Sequence, residues 1–274
     1  MNKIITLMDN YSKEKKFISE HGLSMYIEKD GVKILFDTGQ SKNFTINSRL
    51  LNVDLSNLDF VVLSHGHYDH TGGFRYLVEN FKSEYTLFVG DKFFNEKYSY
   101  NGENYRFSGN NFDLKFLVEN NININIVKKD IVEICKDVFI VKNFEASSGF
   151  EKINKRFYLK ENGEYNIDNF DDEIAIVIKT EKGLVVVVGC SHIGIVNILS
   201  TIRDRFKQRI HMVLGGSHLK EADSNRIDMT IDYLKNEKID IVSLCHCTGD
   251  EAIEKLLDSG IKFLKNSVGT IINF

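Results

Sequence analysis

The chain has 274 residues, with 39 acidic and 35 basic side chains and a net charge of −4 at pH 7. The two signs are interspersed, which excludes the basic patch of a nucleic-acid-binding protein, and no segment has the roughly 20 consecutive apolar residues of a membrane-spanning helix. We therefore expect a cytoplasmic protein without nucleic-acid or membrane partners, folded as a single domain over residues 1–274. The composition leaves the oligomeric state open.

The first part of the chain predicts strands joined by tight turns. An apolar run at residues 3–8 predicts an edge strand, and runs at residues 24–28 and 32–36 flank a Lys-Asp-Gly turn that is typical of a β-hairpin. The hairpin ends at Asp37, which either orients a ligand histidine or is a plain turn aspartate. Residues 44–51 predict a helix.

A dense cluster of ligand-type side chains follows the next predicted strand, at residues 59–63. Within six residues the sequence offers three imidazoles and one carboxylate, from His65, His67, Asp69 and His70. These groups suit zinc, iron or manganese. Because no single strand or helix face can gather all four side chains, the spacing predicts a loop that divides them between two adjacent metal ions.

The segment at about residues 90–172 has a looser pattern and contains no histidine. We predict that it is an insert of strands and loops that covers the substrate, with residues 93–113 overhanging the pocket. Before this segment, a helix is predicted at 74–81 and a strand at 85–89. Within it, strands are predicted at 122–127, 138–141 and 156–159. Its aromatic side chains either line the pocket or pack the insert, among them Phe93, Phe94, Tyr98, Tyr100, Tyr105 and Phe107.

Regular alternation of strands and helices returns in the last hundred residues. Strands are predicted at 173–178, 183–188, 211–218, 240–244 and 268–273, and helices at 195–206, 224–236 and 250–259. Three of these strands end in ligand-type residues, with Cys190 and His192 after one, His218 after the next and His246 after the third. Because the carboxyl ends of successive strands meet at one rim of a layered α/β fold, we expect these side chains to converge.

The cysteines lie beside histidines, which indicates metal binding or catalysis rather than a disulfide. Cys190 is interpreted as a soft thiolate ligand or as a buried structural thiol. His218 is interpreted as a group for proton transfer or for holding a substrate anion, or as structural. Cys245 and Cys247 are expected to shape their loop rather than to bind metal.

The motif Ser64-His65-Gly66-His67-Tyr68-Asp69-His70 resembles the His-x-His-x-Asp-His signature of the metallo-β-lactamase superfamily. Further segments resemble its subgroup of proteins similar to the dihydropterin–ribofuranosylaminobenzene phosphate synthase of methanopterin biosynthesis, at residues 20–24, 35–39, 189–197, 215–219 and 246–249. The resemblance spans nearly the whole chain. It implies an α/β fold, the four-layer αββα metallo-β-lactamase sandwich, with a dinuclear metal site at one edge.

The resemblance also implies roles for individual residues. His65 and His67 match the pair that binds a first metal ion, whereas Asp69, His70 and His246 match ligands of a second. Cys190 stands where many members have a bridging aspartate and some lactamases have a cysteine. The usual third histidine of the first ion is absent before that strand, and His192 is the nearest replacement.

These observations predict a metal-dependent hydrolase that activates water at a dinuclear site against a small substrate, and the resemblance to the synthase subgroup implies that this substrate is phosphorylated or pterin-like. Zn²⁺ is the preferred ion, with iron and manganese as alternatives. Asp69 and His218 are the predicted catalytic residues, Asp69 because it orients the water and His218 because it stabilises developing negative charge. The alternative functions are a di-iron redox protein and a pterin-related synthase.

Overall fold

The computed structural model describes residues 2–82 and 84–274. The strands are β1 (Lys3–Met8), β2 (Ser24–Lys29), β3 (Val32–Phe36), β4 (Phe60–Val62), β5 (Thr86–Gly90), β6 (Glu96–Tyr100), β7 (Tyr105–Phe107), β8 (Asn123–Val127), β9 (Ile131–Cys135), β10 (Val138–Val141), β11 (Phe157–Glu161), β12 (Glu164–Ile167), β13 (Ala175–Thr180), β14 (Gly183–Val188), β15 (Ile210–Gly216), β16 (Ile241–Cys245) and β17 (Ile271–Asn273). The helices are α1 (Asn43–Leu50), α2 (Tyr68–Thr71), α3 (Phe74–Asn80), α4 (Leu114–Glu119), α5 (Ile195–Phe206), α6 (Ser224–Asn236) and α7 (Asp250–Asp258). None of these helices is both long and apolar enough to cross a membrane.

The chain divides into two compact units. Unit 1 comprises Met1–Lys128, Asn154–Asp172 and Ser267–Phe274, and unit 2 comprises Lys129–Ile153 and Glu173–Asn266. Met1 and Ser83, which fall inside the predicted domain and within the bounds of unit 1, lie outside the described residues. The predicted insert contributes to both units, and the single-domain organisation stays a prediction.

The larger sheet of unit 1 has the strand order β17-β1-β2-β3-β4-β5-β8. The predicted hairpin of β2 and β3 is confirmed, and its Asp30-Gly31 turn has the left-handed backbone that such turns require. The prediction of β1 as an edge strand is wrong, because the carboxyl-terminal strand β17 pairs with it and places Ile4 opposite Ile272. From β3 to β8 the strands are parallel, so their carboxyl ends share one edge.

A second sheet of unit 1 has the order β12-β11-β6-β7, and sequence analysis missed β6, β7 and β12. Its tyrosines stack on one another across the strands, as between Tyr105 and Tyr165, whose ring centroids are 3.7 Å apart. Tyr105 on β7 is exposed. Lys97 on β6 lies next to Tyr98, so its side chain faces the opposite side of the sheet, and it is buried. These tyrosines therefore follow the second expected alternative and pack the insert.

Unit 2 is built on a sheet with the order β16-β15-β14-β13-β10-β9. Strands β14, β15 and β16 are parallel, and helices α5 and α6 connect them in turn. The run Val185–Val188 is buried, as is the inward face of α5, and each fully buried residue of this size contributes about 1.5–3 kcal/mol. The bounds predicted for β14, α5 and α6 are confirmed, and so is the mixed α/β class.

Candidate metal centre

In unit 1 the ligand-type residues lie on a loop that follows β4, which we call the histidine loop (residues 64–70). His65 and His67 lie in the extended part of this loop, and Asp69 and His70 lie on the short helix α2. A side chain at Gly66 cannot fit, because a Cβ atom there would lie 2.6 Å from the carbonyl oxygen of Phe93. Segment 93–113, predicted to overhang the pocket, therefore packs against the histidine loop.

The side chains of the histidine loop come together. Nε2 of His65 lies 3.1 Å from Nδ1 of His67, and the ring centroids of His65 and His70 are 4.3 Å apart. Nε2 of His70 is 3.7 Å from Oδ2 of Asp69. All four residues are buried. Burial, followed by the nearby His70 and His67, holds the pKa of His65 well below its usual value, which favours the neutral imidazole, the form that can coordinate a metal ion.

Asp37 orients this cluster from the end of β3. Its carboxylate lies 2.7 Å from Nδ1 of His70 and accepts hydrogen bonds from the backbone N–H and the hydroxyl of Ser64, both at 2.7 Å. A carboxylate behind a ligand histidine fixes the ring and its tautomer. Of the two expected alternatives for Asp37, the structure therefore supports contact with a candidate ligand.

A buried ion triad supports the other side of the loop. Oδ2 of Asp172 accepts the backbone N–H of Gly66 at 2.7 Å, and Nζ of Lys97 lies 3.0 Å from Asp172 and 2.7 Å from Asp168. Burial by itself lowers the pKa of Lys97, but the two carboxylates outweigh it and raise that pKa, so the lysine stays charged. Sequence analysis missed this triad, because its members are far apart in the chain.

Two further contacts complete the surroundings in unit 1. His21, within the segment 20–24, places Nε2 at 3.2 Å from Oδ2 of Asp69. The His67 ring lies between aromatic neighbours, 5.0 Å from Phe157 and 5.6 Å from Phe170 by ring centroids. These rings exclude water from one side of His67.

In unit 2 the candidate ligands lie at the carboxyl ends of β14, β15 and β16. Sγ of Cys190 is within 4.8 Å of a ring nitrogen of each of His192, His218 and His246. The rings of His192 and His218 are 4.3 Å apart. The carboxylate of Glu173 holds the β14 loop by accepting the backbone N–H of His192 at 2.8 Å, a contact that sequence analysis missed. The expected convergence of these strand ends is therefore present within unit 2.

Cys247 joins the same group of side chains, although it was expected only to shape its loop. Its Sγ accepts the backbone N–H of His218 at 3.2 Å and lies within 4.8 Å of Sγ of Cys190. Burial raises the pKa of the Cys247 thiol, but hydrogen bonds from Cys190 and His218 and the nearby His246 outweigh it and bring that pKa well below its usual value. Cys247 therefore belongs to the group of candidate ligands in unit 2.

The backbone around these groups is strained in both units. Near the candidate ligands, a left-handed φ between 48° and 60° occurs at Asp37, Ser191, His218 and His246. This conformation costs about 1–2 kcal/mol for a residue with a Cβ atom. Such strain persists where a site requires it.

The donor sets of both units fit divalent metal ions. Unit 1 offers imidazole nitrogens and a carboxylate, and unit 2 offers imidazole nitrogens and thiols, all ligand types of zinc and all buried except the half-buried His218. The positioning carboxylates Asp37 and Glu173 are of the kind that surrounds metal sites. The prediction of one dinuclear centre is not tested by the geometry within either unit.

The comparisons with known proteins agree with this picture. The sequence model of the metallo-beta-lactamase superfamily matches residues 20–127. The chain is 34% identical to the 7,8-dihydropterin-6-methyl-4-(beta-D-ribofuranosyl)-aminobenzene-5'-phosphate synthase of Methanocaldococcus jannaschii, over 99% of this chain and 96% of the synthase. It is 31% identical to an uncharacterized protein of the same organism, over 97% of this chain and 98% of that protein.

A solved structure also matches over the full length. The crystal structure of a metal-dependent hydrolase of the beta-lactamase superfamily has a TM-score of 0.88 at 32% identity, and the match covers 100% of this chain and 99% of that one. The predicted α/β fold of the metallo-β-lactamase type is confirmed by this likeness.

Proposed function

The chain belongs to the metallo-beta-lactamase superfamily, and from that premise we propose that it is a metal-dependent hydrolase that acts on a small molecule. The observation that carries this proposal is the histidine loop of unit 1. There, His65 contacts His67 and His70, His70 lies 3.7 Å from Asp69, and Asp37 holds the His70 ring. A purely structural loop has no need of so many convergent ligands.

We assign the residues of the histidine loop as follows. His65 and His67 would hold one divalent ion, for which Zn²⁺ is the first candidate, and Asp69 and His70 would hold a second. A bound ion would supply Lewis acidity, which would lower the pKa of water towards neutrality and polarise the bond to be broken. Asp69 accepts a hydrogen bond from the attacking water, while Phe157 and Phe170 keep bulk water away from His67.

In unit 2 we propose Cys190, His192 and His246 as further ligands, because their donor atoms meet at the ends of parallel strands. Glu173 accepts the backbone N–H of His192 and thereby fixes the position of that residue in the loop after β14. His218, the second predicted catalytic residue, lies beside His192 in this group. A role in stabilising substrate charge stays a prediction for it.

The substrate class is suggested by the relatives. Because a synthase that makes a phosphorylated dihydropterin compound is 34% identical over 99% of the chain, we propose a phosphorylated or pterin-like substrate. The same observation favours a second candidate function, a pterin-related synthase. Fold and metal ligands alone do not decide between them, because related sites carry out different reactions.

The test combines metal content with turnover. Protein loaded with Zn²⁺, Mn²⁺ or Fe²⁺ is screened against phosphodiesters, phosphomonoesters, esters and lactones, and in a second assay against dihydropterin and aminobenzene-riboside precursors with product detection by mass spectrometry. We expect hydrolysis that disappears on chelation, and a loss of at least about 100-fold in His67→Ala.

The matched control is His211→Gln. His211 lies near the amino end of β15 and contacts Asp240 at 2.6 Å, so its loss should leave metal content and rate unchanged. If folded His67→Ala keeps its full metal content and rate, the proposal is wrong. If only the second assay yields product, the synthase replaces the hydrolase.

A further inference from the structure

We propose that unit 2 contains a thiolate metal site made by Cys190, His218 and Cys247, which binds Zn²⁺ or the softer Cd²⁺ through two sulfur atoms and one imidazole. We call these three residues the thiolate cluster. The proposal goes beyond the hydrolase assignment, which rests on the histidine loop, and shares only Cys190 with the ligands named above. It gives His218 a ligand role in place of a catalytic one.

The geometry brings the three donor atoms together from three neighbouring strands. Cys190 follows β14, His218 follows β15 and Cys247 follows β16, and their donor atoms all lie within 4.8 Å of one another. Donor atoms around a tetrahedral zinc ion lie about 3.5–3.8 Å apart, given metal–ligand distances of roughly 2.0–2.3 Å. Closing the cluster around an ion therefore needs side-chain movements on the order of 1 Å.

The surrounding backbone leaves space for the sulfur of Cys247. A Cβ atom at Gly216 would lie 2.5 Å from that sulfur and 2.6 Å from the carbonyl oxygen of Gly189, so only glycine fits. The N–H of His218 is directed at the same sulfur at 3.2 Å, from a residue with left-handed backbone at φ 48°. Hydrogen bonds of this kind stabilise the negative charge of a metal-bound thiolate.

The chemistry of the donors selects the ion. Thiolates favour zinc and softer ions over magnesium or calcium, and two of them beside one imidazole are typical of zinc sites. Cys190 and Cys247 are 3% and 6% exposed, and a bound cation would offset the buried charge of their thiolates. Each thiol releases its proton to solvent as the ion binds, and no electron is transferred. Three protein ligands leave a fourth position for water or substrate.

Cobalt spectroscopy of the full-length protein tests the proposal. Metal-free, reduced protein is titrated with Co²⁺, and absorption from thiolate-to-cobalt charge transfer is followed in the near ultraviolet. We expect the intensity of two thiolates in the wild type and about half of it in Cys247→Ser, because one Co–S bond remains. The matched control is Cys245→Ser, a buried cysteine two positions away that lies outside the cluster, and it should keep the full intensity.

A second measurement uses the wild-type protein alone, so that misfolding of a variant cannot decide the outcome. Zn²⁺ should protect Cys190 and Cys247 from alkylation in partly denatured protein, as mapped by mass spectrometry, and leave Cys245 unprotected. Single-thiolate intensity in the wild type, or equal spectra for Cys247→Ser and Cys245→Ser, overturns the proposal. The hydrolase assignment fails separately, because His67→Ala should lose turnover and still show the two-thiolate spectrum.

Discussion

The histidine loop of unit 1 and the strand-end loops of unit 2 are both held by buried carboxylates, but these carboxylates contact different partners. In unit 1 Asp37 contacts the imidazole of His70, and Asp172 is paired with the ammonium group of Lys97. In unit 2 Glu173 and Glu151 accept backbone N–H groups. The unit 1 carboxylates therefore hold polar and charged side chains in addition to the backbone N–H groups of Ser64 and Gly66, whereas those of unit 2 mainly fix the course of the backbone.

This difference predicts where substitutions cost most. Removing one charge from a buried ion cluster leaves its partners uncompensated, which typically costs several kcal/mol. A carboxylate bound to backbone N–H groups can be replaced by a neutral amide at lower cost, because the amide oxygen still accepts one hydrogen bond. Three predictions test this contrast.

The largest effect is expected for Lys97→Met. The side chain of Lys97 is 1% exposed and neutralises Asp168 and Asp172, so its loss should lower the free energy of unfolding by about 3–5 kcal/mol. The free energy is measured by urea unfolding. The matched control is Lys92→Met, which removes an exposed ion pair with Asp171 and should cost no more than about 1 kcal/mol. Equal losses in the two variants would show that the triad does not support unit 1.

The second effect concerns metal affinity. Asp37→Asn should weaken Zn²⁺ binding by about 10- to 100-fold, because the carboxylate that orients His70 is replaced by a neutral amide. Glu173→Gln should change affinity only a few-fold, because Glu173 contacts the backbone of His192 rather than its ring. Competition with a chromophoric chelator measures both. A larger loss in Glu173→Gln than in Asp37→Asn would reverse the contrast between the units.

The same contrast explains what the sequence could reveal. The histidine loop is a local motif, with all its ligands within six residues, so His65 and its neighbours could be found without a structure. The thiolate cluster needs three strand ends that are separated by up to 57 residues, from Cys190 to Cys247, and only the sheet register brings them together. The valine run predicted the bounds of β14, because a strand that is buried on both faces has a continuous apolar pattern.

Other misses have equally specific causes. Tyr98 and Tyr100 alternate along β6 as in a strand, but they lie on the outer face of the sheet. Sequence patterns identify strands by apolar side chains that are buried, so this pattern was not recognised as a strand. The pairing of β1 with β17 joins residues at opposite ends of the chain, and no local signal marks it. Lys97 looked like an ordinary surface lysine, because its two carboxylate partners lie more than 70 residues away.

The smallest effect is expected for Glu151→Gln, and it is clearest as a function of pH. The carboxylate of Glu151 accepts the backbone N–H groups of Val196 at 3.1 Å and Asn197 at 2.8 Å, in the first turn of α5. Burial is the largest influence and raises the pKa of Glu151 above its usual value, despite these hydrogen bonds and the nearby Arg226.

The pKa of Glu151 is higher in the folded protein than in the unfolded chain. Between these two pKa values, Glu151 is protonated in the folded protein and ionised in the unfolded chain. The resulting stabilisation is complete below the ordinary glutamate pKa and is lost as the pH rises through the raised one. Glutamine does not titrate, so Glu151→Gln should remove this part of the pH dependence and gain stability relative to the wild type as the pH rises from 4 to 7. At neutral pH the net change in the free energy of unfolding should stay within about 1 kcal/mol, since the amide keeps one acceptor.

Thermal unfolding at several pH values measures this pH dependence, with Glu145→Gln, an exposed position in the same segment, as the control. A wild-type slope that persists in Glu151→Gln would mean that another buried group, and not this carboxylate behind α5, sets the pH dependence of unit 2.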